Sequence, residues 1–227
     1  MGKGLFITGT GTDVGKTFVT GLIVKKLHES GRKAAYFKAA VSGNERGADG
    51  KLIPGDPLYV KNVSGIPQRL SEMCPYIYER AVSPHLAARL EGNPVNLERV
   101  VAEYHALCEK YDYVTMEGSG GILCPLRRDE RLVLLEDLIL ALHLPCLVVA
   151  DAGLGTINSV VLTCEYMRSH HIPVKGILFN HFHPGDVMEE DNREMCELMA
   201  GVPVLACVAE NDRDLKFDAD ALAALYE

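Results

Sequence analysis

The feature that most constrains this chain is its opening segment, in which a short apolar strand runs into a glycine-rich turn and a helix. Residues 4–9 are predicted as a buried strand, and residues 9–17 read Gly-Thr-Gly-Thr-Asp-Val-Gly-Lys-Thr. This layout is typical of a phosphate-binding loop, because backbone N–H groups of the turn and the helix start point at phosphate oxygens. In such loops the lysine, here Lys16, reaches the outer phosphates, and the next hydroxyl, here Thr17, can ligate Mg²⁺. Thr10 stands where the common motif has a glycine.

The helix after the turn is amphipathic, which supports the phosphate-binding interpretation. Its apolar residues recur at helical spacing and form one face, and Gly31 ends the helix. These apolar residues are Val14, Phe18, Val19, Leu22, Ile23 and Leu27. A helix packed by this face directs its N-terminus, which carries Lys16 and Thr17, at the loop. We therefore predict nucleotide binding rather than a lysine that is only solvated.

Composition narrows the class of partner. The 227 residues carry a formal net charge of -8 and no run of lysine and arginine, so binding to nucleic acid or to an anionic membrane is disfavoured. No apolar segment reaches transmembrane length, and residues 1–9 are predicted as a strand rather than a signal peptide. The seven cysteines are odd in number and contain no Cys-x-x-Cys pair, which predicts reduced thiols in a cytoplasmic protein.

Predicted strands and helices alternate along the chain, which is the pattern of an α/β fold. We expect one domain over residues 1–227, with a mostly parallel central sheet flanked by helices on both faces, as in phosphate-loop NTPases. The predicted strands are 4–9, 33–38, 112–117, 146–151, 174–180 and 203–208. The predicted helices are 15–30, 83–91, 96–109, 132–142, 155–169, 186–199 and a short one near 218–226. Residues 42–80, rich in Gly, Pro and polar residues, are predicted to be irregular.

Charged, hydroxyl and glycine residues recur at the predicted carboxyl ends of the strands, where ligands of such a sheet collect. Glu117 ends an apolar strand before a glycine turn, so it is a candidate to hold Mg²⁺ against phosphates. Asp56 is either a second metal-side carboxylate or a helix N-cap, and the residues alone favour the cap. Lys38 and Asn180 end two other predicted strands, and a lysine in such a place is more often solvated than catalytic.

Several of these segments, taken together and in order, resemble one family. They are residues 8–17, Lys38, Ser42-Gly43, the Ser-Pro-His of 83–85 and the Glu-Gly-Ser-Gly-Gly of 117–121. The chain resembles dethiobiotin synthetase, a homodimeric, ATP- and Mg²⁺-dependent ligase of biotin synthesis. The resemblance implies that it joins 7,8-diaminononanoate and CO₂ into a cyclic urea, releasing ADP and phosphate. In that chemistry one amine forms a carbamate, the carbamate becomes a carbamic-phosphoric anhydride, and the second amine closes the ring.

The resemblance also implies roles for individual residues. Lys16 and Lys38 would be catalytic, offsetting the negative charge on carbamate and phosphate. The metal would be held by Thr17, Asp56 and Glu117. The substrate would contact Ser42 and, across the dimer interface, Gly155, Thr156, Ile157 and Asn158 at a helix start suited to a carboxylate. The implied nucleotide contacts are Thr12, Asp13, Val14, Gly15, Lys16, Thr17, Phe18, Glu117, Gly118, Ser119, Gly120, Asn180, Ala209, Glu210 and Asn211.

Two rival classes remain open on the sequence. One is another ATP-dependent amide-forming ligase of the same superfamily. The other is a partitioning or switch ATPase, although these usually carry an early lysine in the phosphate loop and residues 10–14 contain none. We also expect the carboxyl end of the fourth predicted strand not to lie beside the phosphate loop of the same chain at the distance that a nine-carbon diamino acid requires, so that a partner chain would supply the carboxylate site.

Overall fold

A computed structural model describes residues 2–227; Met1, at the start of the first predicted segment, lies outside the described residues. The strands are β1 (Lys3–Gly9), β2 (Ala34–Lys38), β3 (Ala40–Val41), β4 (Tyr76–Ile77), β5 (Tyr113–Glu117), β6 (Pro125–Arg128), β7 (Leu132–Leu134), β8 (Cys146–Asp151), β9 (Val174–Asn180) and β10 (Val204–Cys207). The helices are α1 (Lys16–Glu29), α2 (Gly55–Ser64), α3 (Pro84–Leu90), α4 (Leu97–Cys108), α5 (Leu135–Leu142), α6 (Thr156–Ser169), α7 (Val187–Ala200) and α8 (Ala219–Ala223).

Six strands form a parallel central sheet in the order β10-β9-β8-β1-β5-β2. Apolar side chains from α1, α2 and α8 form a core on one face of this sheet, and side chains from α3 to α7 form a core on the other. The predicted α/β fold, a parallel sheet covered by helices on both faces, is therefore confirmed. Small pairs, β3 with β4 and β6 with β7, lie outside the central sheet.

Successive side chains of the central strands feed the two cores alternately. In β1, Leu5 and Ile7 belong to the core that contains α1, whereas Phe6 belongs to the opposite core, and all three side chains are fully buried. Such a strand reads as continuously apolar because both of its faces are covered. This is why the six central strands could be predicted from the sequence.

Two predictions about local structure were wrong. Residues 132–134 were predicted as the start of a helix, but they form β7, and α5 begins only at Leu135. Residues 42–80 were predicted to be irregular, yet they contain β4, α2 and a short 3₁₀ turn. The buried residues of α2, Pro57, Val60 and Ser64, recur at helical spacing, but Gly55, Pro57 and the following Gly65 make its sequence resemble a loop. The helix is stabilised by packing against α1, which local sequence does not reveal.

The topology brings the carboxyl ends of β1, β5 and β2 next to one another. Ile7 and Lys38 both lie opposite Glu117 in the register of the sheet, on its two sides. The phosphate loop leaves β1 at this edge and enters α1. The fold therefore positions the predicted nucleotide loop beside Lys38 and Glu117.

Candidate active site

The turn between β1 and α1 has the backbone geometry of a phosphate loop. Gly15, the N-cap of α1, has a φ of 82°, a left-handed conformation that favours glycine. A Cβ at this position would lie 1.9 Å from Nδ2 of Asn180, so a larger residue would also collide with that side chain. The Lys16 ammonium donates a hydrogen bond to the Gly11 carbonyl at 2.7 Å, across the loop. Asp13 also has a positive φ of 61°, which an aspartate tolerates better than most residues.

Three charged side chains meet beside this loop. The buried Lys38 ammonium lies 2.6 Å from Oδ2 of Asp56 and 2.6 Å from Oε1 of Glu117. Asp56 lies in the first turn of α2, whose N-cap is Pro54, so the alternative that Asp56 caps the helix was wrong. The association of Asp56 with the phosphate loop comes instead from the packing of α2 against α1.

Glu117 is the centre of the hydrogen bonds at the site. Its side chain is fully buried, and its Oε1 accepts from the Thr17 hydroxyl at 2.7 Å and from Lys38. Its other oxygen, Oε2, accepts from the Tyr36 hydroxyl at 2.9 Å. Sequence reasoning missed Tyr36 because an apolar strand with a tyrosine reads as ordinary core. The available signal was its spacing, since Tyr36 lies two residues before Lys38 and hence on the same face of β2.

Burial and neighbouring charges shift the pKa of both lysines. Burial lowers the pKa of Lys16, and the positive charge of Lys38 lowers it further. Burial also acts to lower the pKa of Lys38, but the carboxylates of Glu117 and Asp56 outweigh burial, so the pKa of Lys38 is raised. Lys38 is therefore held as a cation by two carboxylates, whereas the Lys16 ammonium contacts the Gly11 carbonyl and no carboxylate, so it can still pair with an anion.

A cavity of about 910 Å³ opens over these side chains. Its walls include Thr12, Asp13, Gly15, Lys16, Thr17, Lys38, Ser42, Asp56, Glu117, Ser119 and Gly120 from the predicted site. The remaining wall residues are Val41, Gly43, Ala81, Val82, Ser83, Pro84 and Cys124, of which Gly43, Ser83 and Pro84 belong to the segments that resemble the family. Sequence reasoning missed Cys124 and Val82, and the Val82 carbonyl fixes Ser42 by accepting a hydrogen bond from its hydroxyl at 2.6 Å. One cavity therefore contains both the phosphate loop and enough space for a second molecule beside a bound nucleotide.

The predicted base-reading residues lie on the other side of the loop. Nδ2 of Asn180 donates to the Val14 carbonyl at 3.2 Å, and its Oδ1 is buried without a hydrogen-bond partner among residues 2–227. Nδ2 also lies 3.1 Å from Nε2 of His181, whose Nδ1 lies 2.7 Å from Oδ2 of Asp151. Asn180 is therefore held against the phosphate loop with an acceptor unused.

The last predicted nucleotide contacts are only partly brought together. Glu210 and Asn211 line a second cavity, of about 390 Å³, with Phe18 of α1. Ala209 precedes them, and its N–H donates to Asp212. Gly118 packs tightly instead, since a Cβ there would lie 2.8 Å from Leu135.

The predicted carboxylate-binding segment lies elsewhere. Gly155 has a φ of 90° and is the N-cap of α6, as the sequence predicted, but residues 155–158 do not line the cavity that contains Lys16 and Lys38. Strand β8, which leads to this segment, pairs directly with β1. It lies, however, on the opposite side of β1 from β5 and β2, which carry Glu117 and Lys38. The expectation that the end of β8 is not at the distance from the phosphate loop that the substrate requires stays a prediction.

The donor set at the loop suits a hard divalent cation. Among residues 2–227 no group of three His, Cys, Asp or Glu side chains could hold a metal on its own. The Thr17 hydroxyl and the Asp56 and Glu117 carboxylates are nevertheless oxygen donors gathered around one point, because both carboxylates contact Lys38 and Thr17 contacts Glu117. Mg²⁺ typically combines one or two carboxylates with substrate phosphates and water, so these residues fit it.

The seven cysteines are all free in the described chain, and five are buried. None of the helices within residues 2–227 combines the length and the apolar character that a membrane span requires.

The parallel sheet, the phosphate loop and the Lys-Glu-Asp cluster define a phosphate-loop nucleotide-binding α/β protein. A family model described as an AAA domain matches residues 3–216. Among solved structures the chain is similar to a ParA family ATPase from Chlorobium tepidum TLS, with a TM-score of 0.57, 15% identity and coverage of 98% of this chain and 88% of the other. The MinC:MinD complex of Aquifex aeolicus gives a TM-score of 0.56 at 15% identity, covering 93% and 83%. At such identities the likeness shows the shared fold.

Relatives that are similar in sequence define the family of this chain more narrowly than the solved structures do. The chain is 44% identical over 227 residues, 100% of this chain and 99% of the other, to the ATP-dependent dethiobiotin synthetase BioD of Clostridium botulinum (strain Okra / Type B1). It is 45% identical over 228 residues, covering both chains fully, to the protein of the same name from Brachyspira hyodysenteriae (strain ATCC 49526 / WA1). The chain belongs to the ATP-dependent dethiobiotin synthetase family.

Proposed function

We propose that this protein carboxylates 7,8-diaminononanoate with CO₂ and closes the ring to dethiobiotin, with release of ADP and phosphate. The observation that carries the proposal is the meeting of Lys16, Lys38, Asp56 and Glu117 at one phosphate loop beside a large cavity. Family membership and the names of the full-length relatives support the choice of substrate. The substrate supplies both nucleophiles, so the protein has to position groups and offset charge.

The two lysines have different tasks in this mechanism. One substrate amine attacks CO₂ and forms a carbamate, whose oxygen then attacks the γ-phosphorus while the bond to ADP breaks. Lys16, loosely held by one carbonyl, offsets the charge that develops on the transferred phosphoryl group. Lys38 is fixed by two carboxylates and faces the same cavity, so it offsets the charge of the carbamate without moving.

Ring closure follows from the resulting anhydride. The second amine attacks the carbonyl carbon, the bond to the phosphate oxygen breaks, and inorganic phosphate leaves. Ser42 is fixed by Val82 at the cavity wall, where its oxygen can orient the diamine or the carbamate. No covalent intermediate on the protein is required.

We assign Thr17, Asp56 and Glu117 to Mg²⁺, which when bound would neutralise phosphate charge. The Thr17 hydroxyl and Glu117 Oε1, now hydrogen-bonded to each other, face the phosphate loop. Asp56 reaches the same place from α2 and is more than a third exposed, so it can hold a water of the ion.

We assign adenine recognition to Asn180 and to Phe18, Glu210 and Asn211. Oδ1 of Asn180 has no hydrogen-bond partner among residues 2–227, so it is an acceptor for an exocyclic amino group. Phe18, near the start of α1, lines a cavity together with Glu210 and Asn211. The backbone around Gly15, Val14 and Gly120 would contact the phosphates and the ribose side.

We propose a homodimer in which the start of α6 binds the substrate carboxylate of the partner's site. Residues 155–158 lie outside the cavity of their own chain, and helix N-termini attract anions. Leu154, just before this helix, and Leu162, within it, are 90% and 61% exposed, so they offer apolar surface that a partner chain would cover. A Leu162→Glu variant that stayed dimeric by ultracentrifugation would contradict an interface here, and an active monomer would contradict the shared site.

The decisive experiment measures ATP turnover with and without 7,8-diaminononanoate and bicarbonate, with mass detection of dethiobiotin. We expect ADP release to require the diamine and to match the dethiobiotin formed. A turnover that ignored the diamine would instead favour a switch ATPase, and turnover with another acceptor alone would favour a different amide-forming ligase.

A further inference from the structure

Tyr36 is a fully buried phenol directed at the site rather than into apolar surroundings. Its hydroxyl lies 2.9 Å from Oε2 of Glu117, and both residues are at most 1% exposed. Because an ionised carboxylate can only accept, the phenol donates this hydrogen bond. The roles assigned above to Lys38, Thr17 and Asp56 make no use of this contact.

The fold determines where the phenol lies. Tyr36 is paired with Thr115 in the register of β2 and β5, and Lys38 is paired with Glu117. Tyr36 is therefore the diagonal neighbour of Glu117 on one face of the sheet, within reach of a long aromatic side chain.

The backbone of Tyr36 is fixed as well. Strand β2 is at the edge of the sheet, and the side-chain amide of Gln68 supplies the partner that a further strand would supply. The Tyr36 N–H donates to Oε1 of Gln68 at 2.8 Å, and Nε2 of Gln68 donates to the Tyr36 carbonyl at 3.0 Å. A fully buried glutamine that holds both the N–H and the carbonyl of this edge residue limits the movement of its backbone, and so of the phenol.

The two oxygens of Glu117 are thereby divided. Oε2 is engaged from the core by Tyr36, and Oε1 alone faces Thr17 and Lys38. We propose that Tyr36 is a positioning residue for the metal site: it holds Glu117 by Oε2 so that only Oε1 is offered to the cation. This inference rests on the proposed role of Glu117 as a metal ligand.

Removing the hydroxyl should act through Glu117. In Tyr36→Phe the buried Oε2 loses its donor, so the carboxylate is free to rotate away from Thr17 or to present both oxygens. Partners that orient metal ligands typically contribute about 10- to 100-fold to metal affinity. We expect the Kd for Mn²⁺, measured by electron paramagnetic resonance on the ADP complex, to rise by about 10-fold or more.

A matched control exists in the same core. Tyr226 is also a fully buried phenol, and its hydroxyl lies 2.6 Å from the hydroxyl of Thr115 rather than from Glu117. Tyr226→Phe should lose comparable stability but leave the Mn²⁺ Kd unchanged within about two-fold. The ADP affinity in the presence of a chelator should be unchanged in both variants, since neither phenol lines the cavity.

A double-mutant cycle shows whether Tyr36 acts through Glu117. In a Glu117→Gln background, Tyr36→Phe should have no further effect on the Mn²⁺ Kd. If Tyr36→Phe binds Mn²⁺ as wild type does while Glu117→Gln loses it, the inference is wrong and the metal assignment stands. If Glu117→Gln itself keeps the wild-type Kd, the metal role of Glu117 is wrong, and the inference is overturned with it.

Should Tyr36→Phe fail to fold, the wild-type protein carries the test. Adding Mg²⁺ to the ADP complex should shift the tyrosine absorption band, because the cation withdraws charge from the acceptor of the phenol. The shift should be lost in Glu117→Gln. A wild-type spectrum that does not change on adding Mg²⁺ would overturn the inference.

Discussion

Replacing Lys38 by glutamine tests the electrostatic basis of the proposed mechanism. Lys38 contacts two carboxylates at 2.6 Å, and the side chain of Glu117 is fully buried. At an effective dielectric constant of about 20, one such contact corresponds to about 6 kcal/mol of attraction. Desolvation opposes this, so the usual cost of removing one partner of a buried pair is about 3–5 kcal/mol. A glutamine amide can still donate to Glu117 and recover about 1 kcal/mol.

The expected loss of stability is therefore about 3 kcal/mol. For a chain of this length each kcal/mol shifts the melting temperature by about 2–4 °C, so calorimetry should show a decrease of about 6–12 °C. A matched surface control is Lys26→Gln, which removes an exposed pair with Asp214 at 2.9 Å. It should change the stability by less than about 1 kcal/mol.

Catalysis should decline much more than binding in Lys38→Gln. In the proposed mechanism Lys38 offsets the charge that the carbamate acquires as it forms and reacts, and losing one such group typically lowers kcat by about 100- to 1000-fold. Turnover is followed as ADP release at saturating diamine, bicarbonate and Mg·ATP, below the lowered melting temperature. The KM for ATP should change far less than kcat. A kcat within about five-fold of wild type would remove Lys38 from the catalytic residues.

Three further predictions follow from the contacts at and near the site. Asp56→Asn should raise the Mg²⁺ concentration needed for half-maximal turnover by about 10-fold, and an unchanged Mg²⁺ titration would contradict its assignment to the metal. Asn180→Ala should weaken ATP binding by about 3- to 10-fold, the value of one neutral hydrogen bond, and should abolish the preference over GTP in competition binding. The hydrogen bond that the His183 ring donates to Glu189 raises the pKa of His183, so this contact stabilises the fold fully below the unfolded value of 6.5 and loses its effect as the pH rises through the higher folded value. The melting temperatures of wild type and His183→Gln should therefore differ in acid and converge in alkali, and a difference that grew with pH would refute the contact.

The parts of the fold that sequence analysis predicted correctly are those whose signal is local. The phosphate loop at 9–17 is a continuous motif, and the six central strands are apolar on both faces, so each is visible in a short window. Glu117 and Lys38 could be proposed because each ends such a strand. Helix α2 could not be predicted, since its glycine and proline residues indicate a loop and the helix is stabilised by packing against α1.

The tertiary structure decided how the candidates are combined. Asp56 is 18 residues from Lys38 and Glu117 is 79, yet both carboxylates contact the same ammonium. Tyr36 contacts Glu117 across 81 residues, and its sequence context is that of an ordinary core tyrosine. The strand order places β8 beside β1, on the side away from β5 and β2. These relations depend on cross-strand register and on helix packing, which are interactions between distant segments, whereas a sequence pattern reports only what a residue's near neighbours require.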